Sequence, residues 1–226
     1  MNQLQMLGAV EIGLLYSLVA IGVYITFKVI DFPDLTVDGS FTLGAAVSSS
    51  MIFAGYDPFI ATFCAIPSGC VSGVVTRYLN VRWNILGLLA GILTMTALYS
   101  INLRIMGRPN IAIIDSPTIF ASWNIILVTL FISILIIVIL HRFFVSDFGL
   151  AVRAIGVNPR VSSAYGINVG FMKIVALAIS NAIVALAGSL FAQSQGFADI
   201  SMGTGTVIVG LASVIIGDAI IHPKKI

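Results

Sequence analysis

The hydrophobic positions of this chain come in long runs rather than in strand-like alternation or single helical stripes. Apolar stretches over residues 9–29, 58–78, 85–103, 125–144, 173–193 and 202–221 are each close to the roughly 20 residues that carry a helix across a hydrocarbon core. One more run, residues 41–54, is too short: about 14 residues make roughly 21 Å of helix against a core of about 30 Å. The pattern predicts an all-α membrane protein, a polytopic helix bundle of about seven spans within a single domain over residues 1–226, with one or two short or broken helices.

Two polar interruptions stand out from the loops. Asp31-Phe32-Pro33-Asp34-Leu35-Thr36-Val37-Asp38-Gly39-Ser40 puts three carboxylates, a Pro and a Gly ahead of the short run. Exposed backbone in lipid costs several kcal/mol, so such a segment is either a broken span buried in protein or lining a watery cavity, or an interfacial loop before a tilted helix. The second interruption, residues 148–167, reads as a structured polar loop. Asn158 suits an N-cap, Pro159 suits the first helical position, and Gly166 suits the left-handed residue that ends a helix. About two turns are predicted, with Val161, Ala164 and Tyr165 on one face and Arg160, Ser162 and Ser163 elsewhere.

Smaller features refine the bundle. Gly69 and Gly73 permit close approach of a neighbouring helix and offer a face for a second copy. Ser180 and Asn181 interrupt the sixth apolar run, where they either join helices by hydrogen bonds or contact a solute. Glu11 fits a headgroup-level position or a proton or solute site. Residues 104–123 form a long polar connection with Pro109, Asn110, Asp115 and Pro117, ending at Trp123, an interfacial anchor. The run at 125–144 has only Thr129 and Ser133 as polar breaks before His141 and Arg142 mark its exit, and reads as lipid-facing. Gly203, Gly205, Gly210 and Gly217 allow the last segment to pack tightly or partly unwind.

Composition and charge narrow the function. A chain 59% hydrophobic and 9% charged is not a soluble domain. With the N-terminus outside, Lys28, Arg77, Arg82, Arg142, Arg153, Arg160, Lys173, Lys224 and Lys225 face the cytoplasm, and Arg104 and Arg108 face out. Nine against two fixes that orientation under the positive-inside rule and puts residues 148–167 inside. The N-terminal stretch has no basic residue before its apolar run and reads as a retained span rather than a signal peptide. Cys64 and Cys70 lie on different helix faces without a nearby His, so no metal site is expected. There is no GxxxxGK[ST] loop, HExxH or GxSxG motif and no basic, aromatic-interleaved nucleic-acid patch, so neither an enzyme nor a cofactor is expected.

At Gly156-Val157-Asn158-Pro159 and Ala164-Tyr165-Gly166-Ile167 the chain resembles the coupling-helix segment of ABC importer permeases of the branched-chain amino acid and ribose type. DLTVDGS resembles the DLSVGS element of ribose-type permeases, with Asp38 as an extra residue. The resemblance implies a permease of the bacterial inner membrane in which Gly156, Asn158, Pro159, Arg160, Ala164 and Gly166 contact a separate ATP-binding subunit. Asp34, Thr36, Asp38, Gly39, Ser40 and Asn181 are then assigned to the solute pathway. It also implies an extracytoplasmic substrate-binding protein, a second permease chain in a homodimer, and a small polar solute, with amino acids ahead of sugars and nucleosides. Relatives usually continue through further spans, so the chain reads as C-terminally truncated after His222-Pro223-Lys224-Lys225-Ile226. The competing reading is an ion-coupled secondary transporter or channel using Asp34, Asp38 or Glu11.

Overall fold

A computed structural model describes residues 3–114, 116–121 and 123–221. The roles expected for Asp115 and for His222, Pro223, Lys224, Lys225 and Ile226 lie outside the described residues. The helices are α1 Gln3–Val23, α2 Thr36–Phe53, α3 Pro58–Trp83, α4 Gly87–Met106, α5 Ile125–Val145, α6 Asp147–Val157, α7 Pro159–Ala164, α8 Val169–Gln195 and α9 Thr206–Ile221. α1 runs on through a π-helical turn, Tyr24–Val29. Five of these elements, α1 with its π turn, α3, α4, α5 and α8, are long and apolar enough to cross a membrane. α2 and α9 complete the bundle.

α8 is the central helix, buried along most of its length and packed on α1, α2 and α3. Its approach to two neighbours is backbone on backbone. A Cβ on Gly44 would sit 1.8 Å from the Ala185 carbonyl oxygen, and one on Gly188 would sit 1.9 Å from that of Phe41. On α3, a Cβ at Gly69 or at Gly73 would come within 2.3 Å of the Asn181 or Leu177 carbonyl oxygen. Gly69 and Gly73 are therefore spent inside the chain and are not free for a second copy. Around this seam Leu18, Val19 and Val23 of α1 meet Phe41, Val184 and Leu190. Tyr16, Phe41 and Phe191 interlock, with ring centroids 5.6 to 6.2 Å apart. α5 packs on the outside of α1 through Thr129, Ser133, Ile136 and Leu140, flanked by the partly buried Val128 and Ile132, so its Thr and Ser mark the packed stripe and its opposite face is exposed.

Three local structures differ from the sequence reading. α2 starts at Thr36 rather than near Phe41, which places Asp38, Gly39 and Ser40 inside the helix. The cause is Asp34, whose Oδ1 accepts from the Thr36 amide at 2.9 Å and starts the helix two residues later. Residues 148–167 are two helices, not a loop with one turn. Ser146 caps α6 by accepting from the Gly149 amide at 3.3 Å, and Gly149, Val152 and Ile155 bury one face. The third difference is a two-stranded antiparallel ribbon, Asn110–Ala112 (β1) with Phe197–Asp199 (β2), in register Asn110↔Asp199 and Ala112↔Phe197. Its inward Ile111 and Ala198 close the end of the bundle over Ala45, Ile52 and Ala192. At the ribbon's end the amide and hydroxyl of Ser201 donate to Asp199 and hold its carboxyl below the ordinary value.

The last glycine-rich segment does unwind before α9: Gly203 lies against the Asp38 carbonyl, Gly205 has φ +86°, and the helix begins at Thr206. At the opposite end from the ribbon, Lys28 and Asp218 form an ion pair joining the ends of the π turn and α9. Both groups are well exposed, so it contributes little.

Backbone contact at Gly44 leaves no room for a side chain, whereas a Cβ at Gly13 meets nothing within 4 Å. Gly44→Val is expected to cost at least about 1–3 kcal/mol through overpacking, and Gly13→Val almost nothing. Thermal unfolding of the two purified variants in detergent checks this; equal melting temperatures would count against the seam as the organising contact.

Candidate functional site

The site is built from a chain reversal. After the π turn, Asp31 takes a left-handed conformation at φ +49°, and the Phe32 amide donates back to the Thr26 carbonyl at 2.8 Å. Residues 30–35 then lead into α2 with Ile30, Phe32 and Asp34 buried. Alternate residues of this irregular stretch are thus enclosed by protein, while Asp31 and Pro33 are exposed.

Asp34, Thr36, Ser40 and Asn181 are brought together, each 0% exposed. Asn181 Nδ2 donates to Asp34 Oδ2 at 2.7 Å, and Ser40 Oγ donates to Asn181 Oδ1 at 2.7 Å. Ser40 also meets Ser72 at 2.6 Å, and Thr36 meets Thr76 at 2.8 Å. The network ties α2, α3 and α8 together, and its Ser72 borders an apolar cavity between α3 and α4. Ser180, next along α8, donates to the Gly22 carbonyl at 2.8 Å, so both polar residues of that helix bond across to other helices.

Asp38 and Gly39 stand apart from that network. Asp38 accepts from the amides of Gly205 and Val207 at 2.9 and 2.8 Å and from the Thr206 hydroxyl at 2.8 Å. It thereby caps α9 at the positive end of the helix dipole. Beside it lies a cavity of about 220 Å³ between α2, α4 and the turn before α9, lined by Asp38, Gly39, Thr42, Met95, Tyr99 and Asn102. Asn102 Nδ2 donates to the Gly39 carbonyl at 3.3 Å, while its Oδ1 is buried without a partner. Such a cavity offers hydrogen-bond acceptors, one of them charged, against an apolar and aromatic wall. Glu11 lies elsewhere, accepting from Ser194 at 2.8 Å and joining α1 to α8.

The second half of the site is the α6–α7 pair. Asn158 Oδ1 accepts from the amides of Arg160 and Val161 at 3.1 and 3.2 Å, Pro159 opens α7, and Gly166 follows it at φ +82°. Asn158, Pro159, Arg160, Ala164 and Gly166 are exposed. Val161 and Tyr165 are exposed as well, Tyr165 at 83%, whereas Ser162 is the buried residue, so the apolar face points outward. Gly156 points the other way: its Cβ would sit 1.7 Å from the Val29 carbonyl oxygen, so α6 is seated directly on the π turn that leads into the reversal. Gly156 therefore serves the contact within the chain rather than the outward surface.

Sequence reasoning missed Val157, 88% exposed next to α7, and Met95, Tyr99 and Asn102 in the cavity wall. Asn102 was visible as a polar residue in an apolar run; the α4 face it occupies was not.

The chain is thus a polytopic helical bundle with a chain reversal before α2 and an exposed capped helix pair at one end. Residues 6–223 match the family described as branched-chain amino acid transport system / permease component, and the chain belongs to that family of ABC importer permeases. It is 43% identical over 206 residues to the tyrosine transport system permease protein of Clostridioides difficile (strain R20291), covering 91% of this chain and 70% of that one. It is 38% identical over 216 residues to an uncharacterized protein of Rickettsia prowazekii (strain Madrid E), covering 92% and 75%. No solved structure matches the chain. Family membership sets aside the secondary-transporter reading, and the chain is a multi-pass membrane protein.

Removing Asn181 leaves Asp34 with one donor fewer in a sealed site. Asn181→Ala is expected to cost about 1–3 kcal/mol and to lower the unfolding temperature, while Ser163→Ala on exposed α7 leaves it unchanged. An Asn181→Ala protein as stable as the parent would mean that the network does not hold the three helices.

Proposed function

We propose that this chain is the membrane-spanning half of an ATP-driven importer in the bacterial inner membrane, translocating an amino acid delivered by an extracytoplasmic binding protein. The observation that carries the reading is α7: a capped helix with its apolar face turned to solvent and its supporting helix seated on the π turn of α1. An ATP-binding subunit seats on Val157, Val161 and Tyr165, with Asn158, Pro159, Arg160, Ala164 and Gly166 forming the rest of the contact. Nucleotide-driven movement of that subunit shifts α6, and Gly156 passes the shift through Val29 into residues 30–35 and the start of α2. Two ATP-binding subunits need two such surfaces, which supports a homodimer of this chain.

On the solute side, the Asp38 cavity suits a zwitterion. Its lining contains no Lys or Arg to clamp an anion, while Asp38 and Asn102 Oδ1 attract an ammonium group and Met95 and Tyr99 accept an apolar side chain. A relative named for tyrosine transport agrees in kind. Asp34, Thr36, Ser40 and Asn181 then act on the pathway indirectly, holding α2 in place.

Two measurements test the reading. Asn158→Ala removes a cap of about 0.5–2 kcal/mol, and Gly166→Val places a β-branched residue at positive φ. The double variant is expected to insert normally yet lose substrate-stimulated ATP hydrolysis at least about tenfold in the reconstituted complex with binding protein and ligand. Wild-type stimulation in a correctly folded double variant would overturn the coupling role. For orientation, a membrane-impermeant thiol reagent is expected to label Tyr56→Cys but not Ser163→Cys in sealed cells. The reverse pattern would place α7 on the wrong side for an ATP-binding partner.

A further inference from the structure

We propose that the cleft where the ends of α3 and the beginnings of α4 and α8 meet is a phosphate-binding site centred on Arg77. The cleft encloses about 400 Å³ and is lined by Arg77, Asn80 and Asn84 together with Gly87 and Gly170. Arg77 is partly buried, yet among the described residues the ion pair found is Lys28 with Asp218, and Arg77 has no carboxylate partner. Its Nη1 donates to Asn80 Oδ1, its guanidinium lies 5.6 Å from the Phe32 ring centroid, and its buried Nε has no partner. Lys173 repels it from nearby, and the neighbouring Asp31 acts on Lys173. A partly buried cation in a polar cleft, with one N–H unpaired and no carboxylate partner, is a costly arrangement unless an anion joins it.

The rest of the cleft suits a phosphate oxygen cluster. No side chain caps α4, so the first amides of a 20-residue helix open beside Gly87, and Gly170 lies in the first turn of α8 with open space around its Cβ except for Asn168 at 3.4 Å. Asn80 is occupied, donating to the Ile85 carbonyl and accepting from Arg77, but the uncapped amides, the Asn84 side chain and the guanidinium together match a tetrahedral, multi-oxygen anion better than a single carboxylate. Tyr78 and Trp83 are exposed at the same end of α3, as aromatic residues are at headgroup level. The phosphate group is thus supplied either by an anionic lipid headgroup or by free phosphate. Because Phe32 stacks on Arg77 and packs against Gly87, occupancy bears directly on the reversal that leads into α2.

The test uses the purified full chain in phosphatidylcholine nanodiscs. Retention of added phosphatidylglycerol is followed by native mass spectrometry, and inorganic phosphate binding by equilibrium filtration. The parent is compared with Arg77→Gln and with Gly170→Asp, which places a competing carboxylate in the cleft with little steric conflict. The parent is expected to prefer phosphatidylglycerol over phosphatidylcholine by about tenfold or more, with the preference lost in Gly170→Asp and in Arg77→Gln. If millimolar phosphate does not displace the lipid, the headgroup is the ligand; if phosphate binds and displaces it, free phosphate is. Absence of both preferences in the parent overturns the proposal. So does either preference persisting unchanged in a folded Gly170→Asp protein, whether or not Arg77→Gln folds.

Discussion

Everything in this structure depends on how closely α8 approaches α2 and α3. In a membrane there is no hydrophobic gain from bringing helices together, so packing and interhelical hydrogen bonds must supply the attraction. Gly44, Gly69, Gly73 and Gly188 bring the backbones near enough for both. Only at that separation does the short Asn181 side chain reach Asp34 on one side and Ser40 on the other. The polar network is a result of the glycine seam, and the seam is held in register by the network.

How legible this was in the sequence depended on the range of the forces involved. Span positions follow from hydrophobic run length, a local property, and the long helices fall where the runs are. The α7 cap was legible because Asn158, Pro159 and Gly166 act within a few residues of themselves. α6 was missed although its signals, Ser146 and the Gly149, Val152, Ile155 stripe, are equally local, because the eye takes a polar segment between spans for a loop. The start of α2 was misplaced for a related reason: Asp34 looks like a charge in a loop and is in fact the group that starts the helix. The β1–β2 ribbon pairs residues almost ninety positions apart over three residues a strand, and no local pattern encodes it.

Gly156 joins the two halves of the site. It was read as a surface residue because it stands beside Asn158, but helical spacing turns it toward the π turn, where a wider turn offers the Val29 carbonyl to a residue without a Cβ. π turns often mark functional sites in helices. Here the wide turn both seats α6 and begins the reversal at Asp31, so a displacement of α6 meets irregular backbone rather than a stiff helix.

Asp34 and Asp38 lie one helical turn apart in sequence and are used in opposite ways. Asp34 is sealed, its carboxyl oxygens accepting from Asn181 and from the first amide of α2, so it stabilises one arrangement of three helices. Asp38 is answered by the first amides of α9 and borders a cavity, so a cationic group arriving there competes with the cap for the same carboxylate oxygens. Weakening the cap loosens the start of α9 relative to α2, since Thr42 and Gly203 provide the remaining direct hydrogen bond between that turn and the helix. On the proposed function, a ligand at Asp38 and a displacement entering through Gly156 would act on opposite ends of the same short stretch, residues 30–38, so that a single rearrangement of that stretch would answer to both.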